Sequence, residues 1–497
     1  MSVSEMQKFY KDQTVFITGG TGVVGKILIR KLLMSCCDVK KIYLLIRGKK
    51  GKSAEERVDI LLDSYFFQSL SQGKAELRRK VGVLSGDCCL PNLGLNPGDH
   101  KMLQDEATCI IHISASVRFD EELRIATYTN VRSVQSILEI AKGAKNLKVL
   151  SYVSTAYSNC IEQREVEEKF YDPPMTVGQL FKILDAMDDE MLNTKLSQIL
   201  GKWPNTYTFT KAIAENVIRE EGQNLPIGII RPGIIVGSVN DPEPGWTDFF
   251  QGMEMICMGV YTGVCHCLPI RREAPVSLVP LDYAVNHILS VSWDIGRNRK
   301  PLEESIYNFV GSKTNKISGG EFVDIGIRNC EMWPSSLSVW KPFVISTVDE
   351  RLLKIYQDLF HNIPAHVVDF VLLRLGKKPR MVKLMNRVNK GSQLIAHFIM
   401  HSWIFKQTHT EKLWEKCNKQ DKELFPFNMD HLDWTNFCQN LLLSGRCHLL
   451  KDPLHNLPKA KKRRVFLEVL HYSTIIILMY LFYIMISFIL NILFKFI

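Results

Sequence analysis

Tyr207 and Lys211 bracket the run Tyr-Thr-Phe-Thr-Lys, a spacing that on a helix brings a phenol and an ammonium onto one face. A lysine beside a tyrosine lowers the phenol's pKa and prepares it to give up a proton. A second set of hydroxyls, Ser154, Thr155 and Tyr157, follows the apolar run from Leu147 to Ser154. Such a run reads as a strand, and open parallel sheets bind ligands at the carboxyl edge of their strands. A Tyr-x-x-x-Lys pair is common by chance. It becomes specific when a strand-end hydroxyl and a phosphate-binding turn accompany it.

That turn lies near the start of the chain. Thr14 to Gly25, TVFITGGTGVVG, is a β-branched run that breaks into glycines, the pattern of a buried strand turning sharply into a helix. Gly19, Gly22 and Gly25 are spaced so that one takes a tight turn, the next lets backbone N–H groups approach a pyrophosphate, and the last lets the helix pack on the strand. An amphipathic helix over Lys26 to Met34 and a second strand, Lys41 to Arg47, follow. That strand ends in Arg47 with Gly48, Lys49 and Lys50 behind it, where an acid would accept from a free ribose hydroxyl; a 2′-phosphate, hence NADPH, is expected instead. Further strands are expected at Val81 to Gly86, with Asp87 beside the adenine, and at Ala107 to Ser114, Leu147 to Ser154, Ile227 to Arg231 and Ser305 to Val310. Helical pattern over Glu121 to Ala141 contains Asn130, either a helix-surface amide or a structural hydrogen bond to the neighbouring strand. Alternating strands and helices make the fold α/β, a doubly wound parallel sheet of Rossmann type. The long gap from Cys160 to Trp203, amphipathic in pattern, reads as a substrate-side insertion, and its acids, Glu162 to Glu168 and Asp188 to Glu190, as a solvated face.

The 497 residues carry a formal charge of +10. The basic residues are dispersed except at Arg47 to Lys52 and Lys459 to Arg464, which argues against a nucleic-acid reader. Thirteen cysteines include no C-x-x-C, so neither zinc nor a disulfide framework is expected and no metal site is assigned. Met1 to Asp12 has no signal- or transit-peptide pattern. Thr474 to Phe494 is uncharged and as a helix spans roughly 30 Å, one hydrocarbon core. The basic cluster ahead of it places the preceding chain on the cytosolic side. Thr247 to Leu268, rich in Phe and Met, reads as either the lining of an apolar pocket or plain core packing.

The segments TGGTGVVG (18–25), IHISASVRFDEEL (111–123), VSTAYSN (153–159), PNTYTFTKAIAE (204–215), IIRPGIIVGS (229–238), GWTDFFQG (245–252), VPLDYAVN (279–286) and HNIPAHVVDFVLLRLGKKP (361–379) together carry a resemblance to the alcohol-forming fatty acyl-CoA reductases of the extended short-chain dehydrogenase/reductase group. It implies a reductase domain over 1–345 with the insertion at 160–203, a mainly helical C-terminal domain over 346–458, and a basic flank with a membrane anchor over 459–497. Cofactor contacts are implied at Thr18, Gly19, Gly22, Val23, Val24, Gly25, Arg47, Asp87, Ala115, Tyr207, Lys211 and Pro232. Thr155, or Ser154 in its place, is implied to hydrogen-bond the substrate carbonyl, Tyr207 to donate the proton, and Lys211 to hold the nicotinamide ribose. The substrate implied is a long-chain acyl-CoA, reduced in two hydride transfers to a primary alcohol at an endoplasmic-reticulum or, second, a peroxisomal membrane. A reductase that stops at the aldehyde, a membrane sterol or sugar-nucleotide dehydrogenase, and a catalytically retired scaffold are the alternatives.

Overall fold

The computed structural model describes residues 3–70, 73–161 and 165–493. Seven strands form one parallel sheet: β1 (Thr14–Thr18), β2 (Lys41–Ile46), β3 (Val81–Ser85), β4 (Cys109–His112), β5 (Val149–Val153), β6 (Ile227–Pro232) and β7 (Ile306–Phe309). Their spatial order is β7-β6-β5-β4-β1-β2-β3, so the order reverses at β1, beside which β4 pairs Val15 with Cys109 and Thr18 with His112. Each strand was expected from its unbroken apolar run, the mark of strands covered on both faces. Alternate residues feed two cores. Phe16, Ile110 and Leu150 enter one, and Val15, Ile17, Ile111 and Val149 the other. Both layers are helical: α1 (Val23–Ser35), α2 (Ala54–Leu62), α3 (Ser133–Gly143), α4 (Thr206–Glu221) and α5 (Leu281–Arg297) are the helices used below.

The helical run expected from Glu121 is broken by one π-helical turn, Tyr128–Arg132, before α3. The insertion is not one amphipathic helix. It forms Val177–Ala186, Asp189–Thr194 and Leu196–Leu200, broken where Asp188 caps the second helix. Leu180, Leu184, Leu192 and Leu200 bury themselves in the core that holds Phe209 and Ile213 of α4. Asp188, Asp189 and Glu190 are exposed, as a solvated face requires, with Asp189 pairing with Arg124 at 2.7 Å. Glu168 departs from that expectation: its side chain is only 5% exposed, and its carboxylate accepts from the backbone N–H groups of Asn308 (3.0 Å) and His409 (2.8 Å). Glu162, the first of that acidic run, lies outside the described residues.

The chain packs into two compact units whose segments interleave along the sequence: one of 1–247, 275–316 and 401–432, the other of 248–274, 317–400 and 433–497. The first contains the sheet. Into it the late segment 401–432 brings Ile404–Phe405, which pairs in parallel with Glu165–Val166, and Leu413 and Phe425, which enter the core under α5. The second unit is helical. Met258, Tyr261, Cys330 and Leu442 form a core cluster there, and Arg446 pairs with Asp452 at 3.2 Å, both fully buried. Its C-terminal helix, Leu457–Leu493, is long and apolar enough to cross a membrane.

Candidate functional site

The glycine turn has the geometry of a diphosphate cradle. Gly19 takes φ +79°, and a Cβ there would meet the Ser114 backbone N at 2.9 Å; a Cβ on Gly25 would lie 2.3 Å from the Gly19 carbonyl. Only glycine fits either place. Gly22 caps α1 without a side-chain hydrogen bond, which leaves the first N–H groups of that helix to meet an anion, with Val23 and Val24 in the first turn. Thr18 ends β1 with its hydroxyl 2.7 Å from His112 Nδ1. The imidazole, which also meets the Ser133 hydroxyl at 3.1 Å, is pushed down to about 3 by burial and by the charge of Lys211. It is a neutral tie between β1, β4 and α3. The residues present therefore fit a dinucleotide.

At the end of β2, Arg47 and Asp87 are brought together, Nη1 to Oδ2 at 3.2 Å, and the Asp87 carboxylate also accepts from the Cys89 N–H. A residue not singled out from sequence joins them. Arg57 reaches back from α2 to donate to the Arg47 carbonyl (2.6 Å) and to the Thr21 hydroxyl in the glycine turn (3.2 Å). Burial, and after it the neighbouring Arg47, lower its pKa. A helix-surface arginine ten residues beyond the strand end carried no sequence signal.

Ala115 lies in the segment that leaves β4 for the sheet edge, and Asn130 fixes that segment. Its side chain accepts from Ser116 N (2.8 Å) and donates to Ser116 O (3.1 Å) and Thr210 Oγ1 (3.0 Å). Asn130 is thus a buried structural amide, and the π-helical turn aims it. Pro232 ends β6, and the next residue, Gly233, lies against the Ser277 carbonyl, where a Cβ would approach to 2.4 Å.

Strand alternation separates the two competing hydroxyls. Ser154 is drawn inward, donating to Glu215 of α4. Thr155 instead lies beside the phenol of Tyr207, near enough to act on its pKa, and the Tyr207 ring stacks on Phe119 at 5.8 Å. Asn205 caps α4 through the Thr208 N–H (2.9 Å), so Tyr207 sits in its first turn and Lys211 one turn further on. Lys211 is buried and directs Nζ to the Val153 carbonyl (2.7 Å) and the Tyr152 hydroxyl (3.3 Å), with the Tyr152 ring beneath it. Burial brings it down to about 7, against the upward pull of Glu215. The expected lowering of the Tyr207 pKa does not occur here. Burial pushes the phenol up to about 12, only partly opposed by Thr155, because the ammonium is turned onto β5. Tyr207 is therefore held protonated.

Behind the site lies a buried ion pair absent from the sequence reading. Arg231 of β6 and Glu215 of α4 are both nearly inaccessible to solvent. The guanidinium also donates to the carbonyls of Glu167 (3.1 Å) and Lys169 (2.9 Å), which ties α4, β6 and the entry to the insertion together. A glutamate four residues after Lys211 reads from sequence as one more solvated helix charge.

A seven-stranded parallel sheet with a diphosphate cradle at its reversal, and a Thr–Tyr–Lys group at its carboxyl edge, defines a nicotinamide-dependent reductase of the short-chain dehydrogenase/reductase class. A family model described as "Male sterility protein" matches residues 17–288, and a second of the same description, the Sterile domain, matches 360–452. The chain is 38% identical over 473 residues to "Fatty acyl-CoA reductase wat" of Drosophila melanogaster, covering 95% of this chain and 91% of that one. It is 32% identical over 474 residues to "Fatty acyl-CoA reductase 1" of Homo sapiens, covering 95% and 92%. Among solved structures it is similar to the terminal R domain of the myxalamid biosynthetic pathway, with a TM-score of 0.57, 20% identity, and 89% and 93% of the two chains covered. The chain belongs to the fatty acyl-CoA reductase family.

Proposed function

We propose that this protein reduces long-chain fatty acyl-CoA to the primary fatty alcohol with NADPH, in two successive hydride transfers at one site. The observation that carries the reading is the gathering of Thr155, just past the end of β5, with Tyr207 and Lys211 of α4 at the sheet edge, in a chain whose relatives bear the name fatty acyl-CoA reductase. The cofactor, when bound, supplies the hydride. Thr155 donates a hydrogen bond to the carbonyl oxygen of the thioester, and Tyr207, protonated over the physiological range, delivers a proton to that oxygen as charge develops on it. The hemithioacetal expels the CoA thiol. The resulting aldehyde meets the same two hydroxyls once Tyr207 is reprotonated and fresh cofactor is bound. Lys211, held on β5 by the Val153 carbonyl, would hold the nicotinamide ribose of the bound cofactor.

Incubating microsomes that contain the protein with NADPH and a mixed acyl-CoA pool tests the reading. Fatty alcohol is the expected product, aldehyde as the end product would overturn the second reduction, and no reduced lipid would overturn the activity. We place the reductase unit on the cytosolic side of an endoplasmic-reticulum membrane, peroxisome second, held by one pass of 474–494. Full-length protein should resist carbonate extraction, a chain ending before Val465 should not, and protease added to sealed microsomes should digest the sheet-bearing unit.

Arg57 and Arg47 flank Thr21 where a ribose 2′-phosphate would lie. Arg57→Ala should weaken NADPH binding roughly tenfold or more, the worth of a charge-assisted hydrogen bond, and leave NADH binding nearly unchanged. Arg47→Asp should shift preference toward NADH. Calorimetric titration of each variant with both cofactors checks this, and parallel losses for both would remove the arginines from the phosphate site. The proton on Lys211 has its own consequence. A lysine near 7 loses its charge as pH rises through that value, so kcat/KM should fall on the alkaline side of about 7. In Lys211→Arg, charged throughout, that limb should be absent from the pH profile.

A further inference from the structure

In the helical unit, one helix is turned inside out. Of Ile363–Arg374 the buried residues are Ala365 and Asp369. The Asp369 carboxylate accepts from the backbone N–H groups of Arg380 (2.8 Å), Met381 (2.8 Å) and Val382 (2.9 Å), and so caps the start of Met381–Ile399. The apolar side chains point outward: Val367, Phe370, Leu373 and Leu375 are 58, 57, 59 and 65% exposed. Leu352, Ile355 and Leu359, exposed on the helix before it and the π-helical turn that follows, extend the surface. Patches of this kind on a folded unit mark a partner. Immediately beyond comes a cluster of exposed cations, Lys377, Lys378, Arg380, Lys383 and Arg387, the last two lining an open groove of about 590 Å³.

Ring contacts within the same unit say where this surface lies. Phe360, at the start of the apolar helix, packs edge-on against Phe343 at 5.6 Å, and Phe343 meets His471 of the C-terminal helix at 5.5 Å. Trp340 donates to His471 Nδ1 at 2.9 Å, and Lys341 donates to the Tyr472 hydroxyl. The uncharged run begins two residues later, at Thr474. Trp, Tyr and Lys are the residues that collect at the boundary of a bilayer. The apolar helix therefore starts two ring contacts from the point where the C-terminal helix enters hydrocarbon.

We propose that the helix pair 350–374 and 381–399 is a second, in-plane membrane contact. Val367, Phe370, Leu373 and Leu375 sit among the acyl chains of the leaflet facing the unit, and Lys377 to Arg387 rest on the phosphates of anionic lipids. The proposal rests on 474–494 spanning the same bilayer. Apolar outward residues call for hydrocarbon, the adjoining cations call for negative headgroups, and a lipid surface supplies both at the depth the ring contacts set.

The full-length protein, reconstituted into phosphatidylcholine vesicles with or without phosphatidylserine, is labelled with a lipid carrying a photoreactive group in its acyl chain, and its peptides are analysed by mass spectrometry. Label is expected on 363–375 as well as on the 474–492 region, several-fold stronger on the former with phosphatidylserine present. In Lys377→Gln/Lys378→Gln/Arg380→Gln, label on 363–375 should fall several-fold while the anchor peptide is unchanged. Label on the anchor alone, or cross-links from 363–375 to a second copy of the chain in place of lipid, would overturn the in-plane contact and leave the anchor standing. Absence of label from both peptides would overturn the anchor as well.

Discussion

Tyr207→Phe should bind NADPH as the parent does and turn over roughly a hundredfold or more slowly, the usual range for losing a general acid. The ring remains, so its stacking on Phe119 at 5.8 Å keeps the local packing, and the glycine cradle makes no use of the phenol. What disappears is the proton that Thr155 helps to hold over the substrate oxygen. Cofactor titration by fluorescence together with single-turnover reduction of acyl-CoA separates the two effects. A variant within tenfold of the parent rate would sink the assignment of the proton to Tyr207, and a variant that no longer bound NADPH would show the phenol to be part of the cradle instead.

The second large effect is on stability. Glu215→Ala leaves the Arg231 guanidinium buried without its carboxylate and removes the acceptor for the Ser154 and Ser158 hydroxyls. Breaking a buried pair from one side costs about 3–5 kcal/mol, enough to lower the melting temperature by roughly 10 °C. Because Glu215 also supports the charge on Lys211, that lysine should titrate lower in whatever folded protein remains. The double variant Glu215→Leu/Arg231→Met, which removes both charges, should recover most of the loss. Thermal unfolding of the single and double variants decides it: equal losses would mean that the side chains matter for shape and not for charge.

The sheet was legible because its strands are short apolar runs, the inner ones β1, β4, β5 and β6 buried on both faces, and because glycine is required where Gly19 and Gly25 approach backbone. The Tyr207–Lys211 pair was legible from spacing alone. The choice between Ser154 and Thr155 was not, since adjacent strand residues differ only in the face they take, and that is fixed by what waits behind the strand, here Glu215. Arg57 and Glu215 were missed for the same reason: a charged residue on an amphipathic helix reads as solvated unless its distant partner, Thr21 or Arg231, is known. The expected lowering of the Tyr207 pKa assumed that a lysine four residues on faces the phenol, whereas the Val153 carbonyl and Tyr152 capture its ammonium.

The interleaving of the two units also bears on the order in which the protein is made. The sheet-bearing unit closes through very distant partners: Ser4 donates to Asp421 at 2.6 Å, 417 residues away, and His409 N–H donates to Glu168, 241 residues away. Loop-closure entropy for such separations rises only slowly with length, so the cost falls on the rate more than on the final stability. During synthesis the seven strands are complete by Phe309, yet the unit waits for the segment ending at Leu432. At roughly 5–20 residues per second, the C-terminal helix follows within seconds. With 474–494 as the proposed membrane pass, the last packing steps of the reductase unit and the delivery of that helix compete in the same short interval, and a chaperone that shields 474–492 in that interval would protect both.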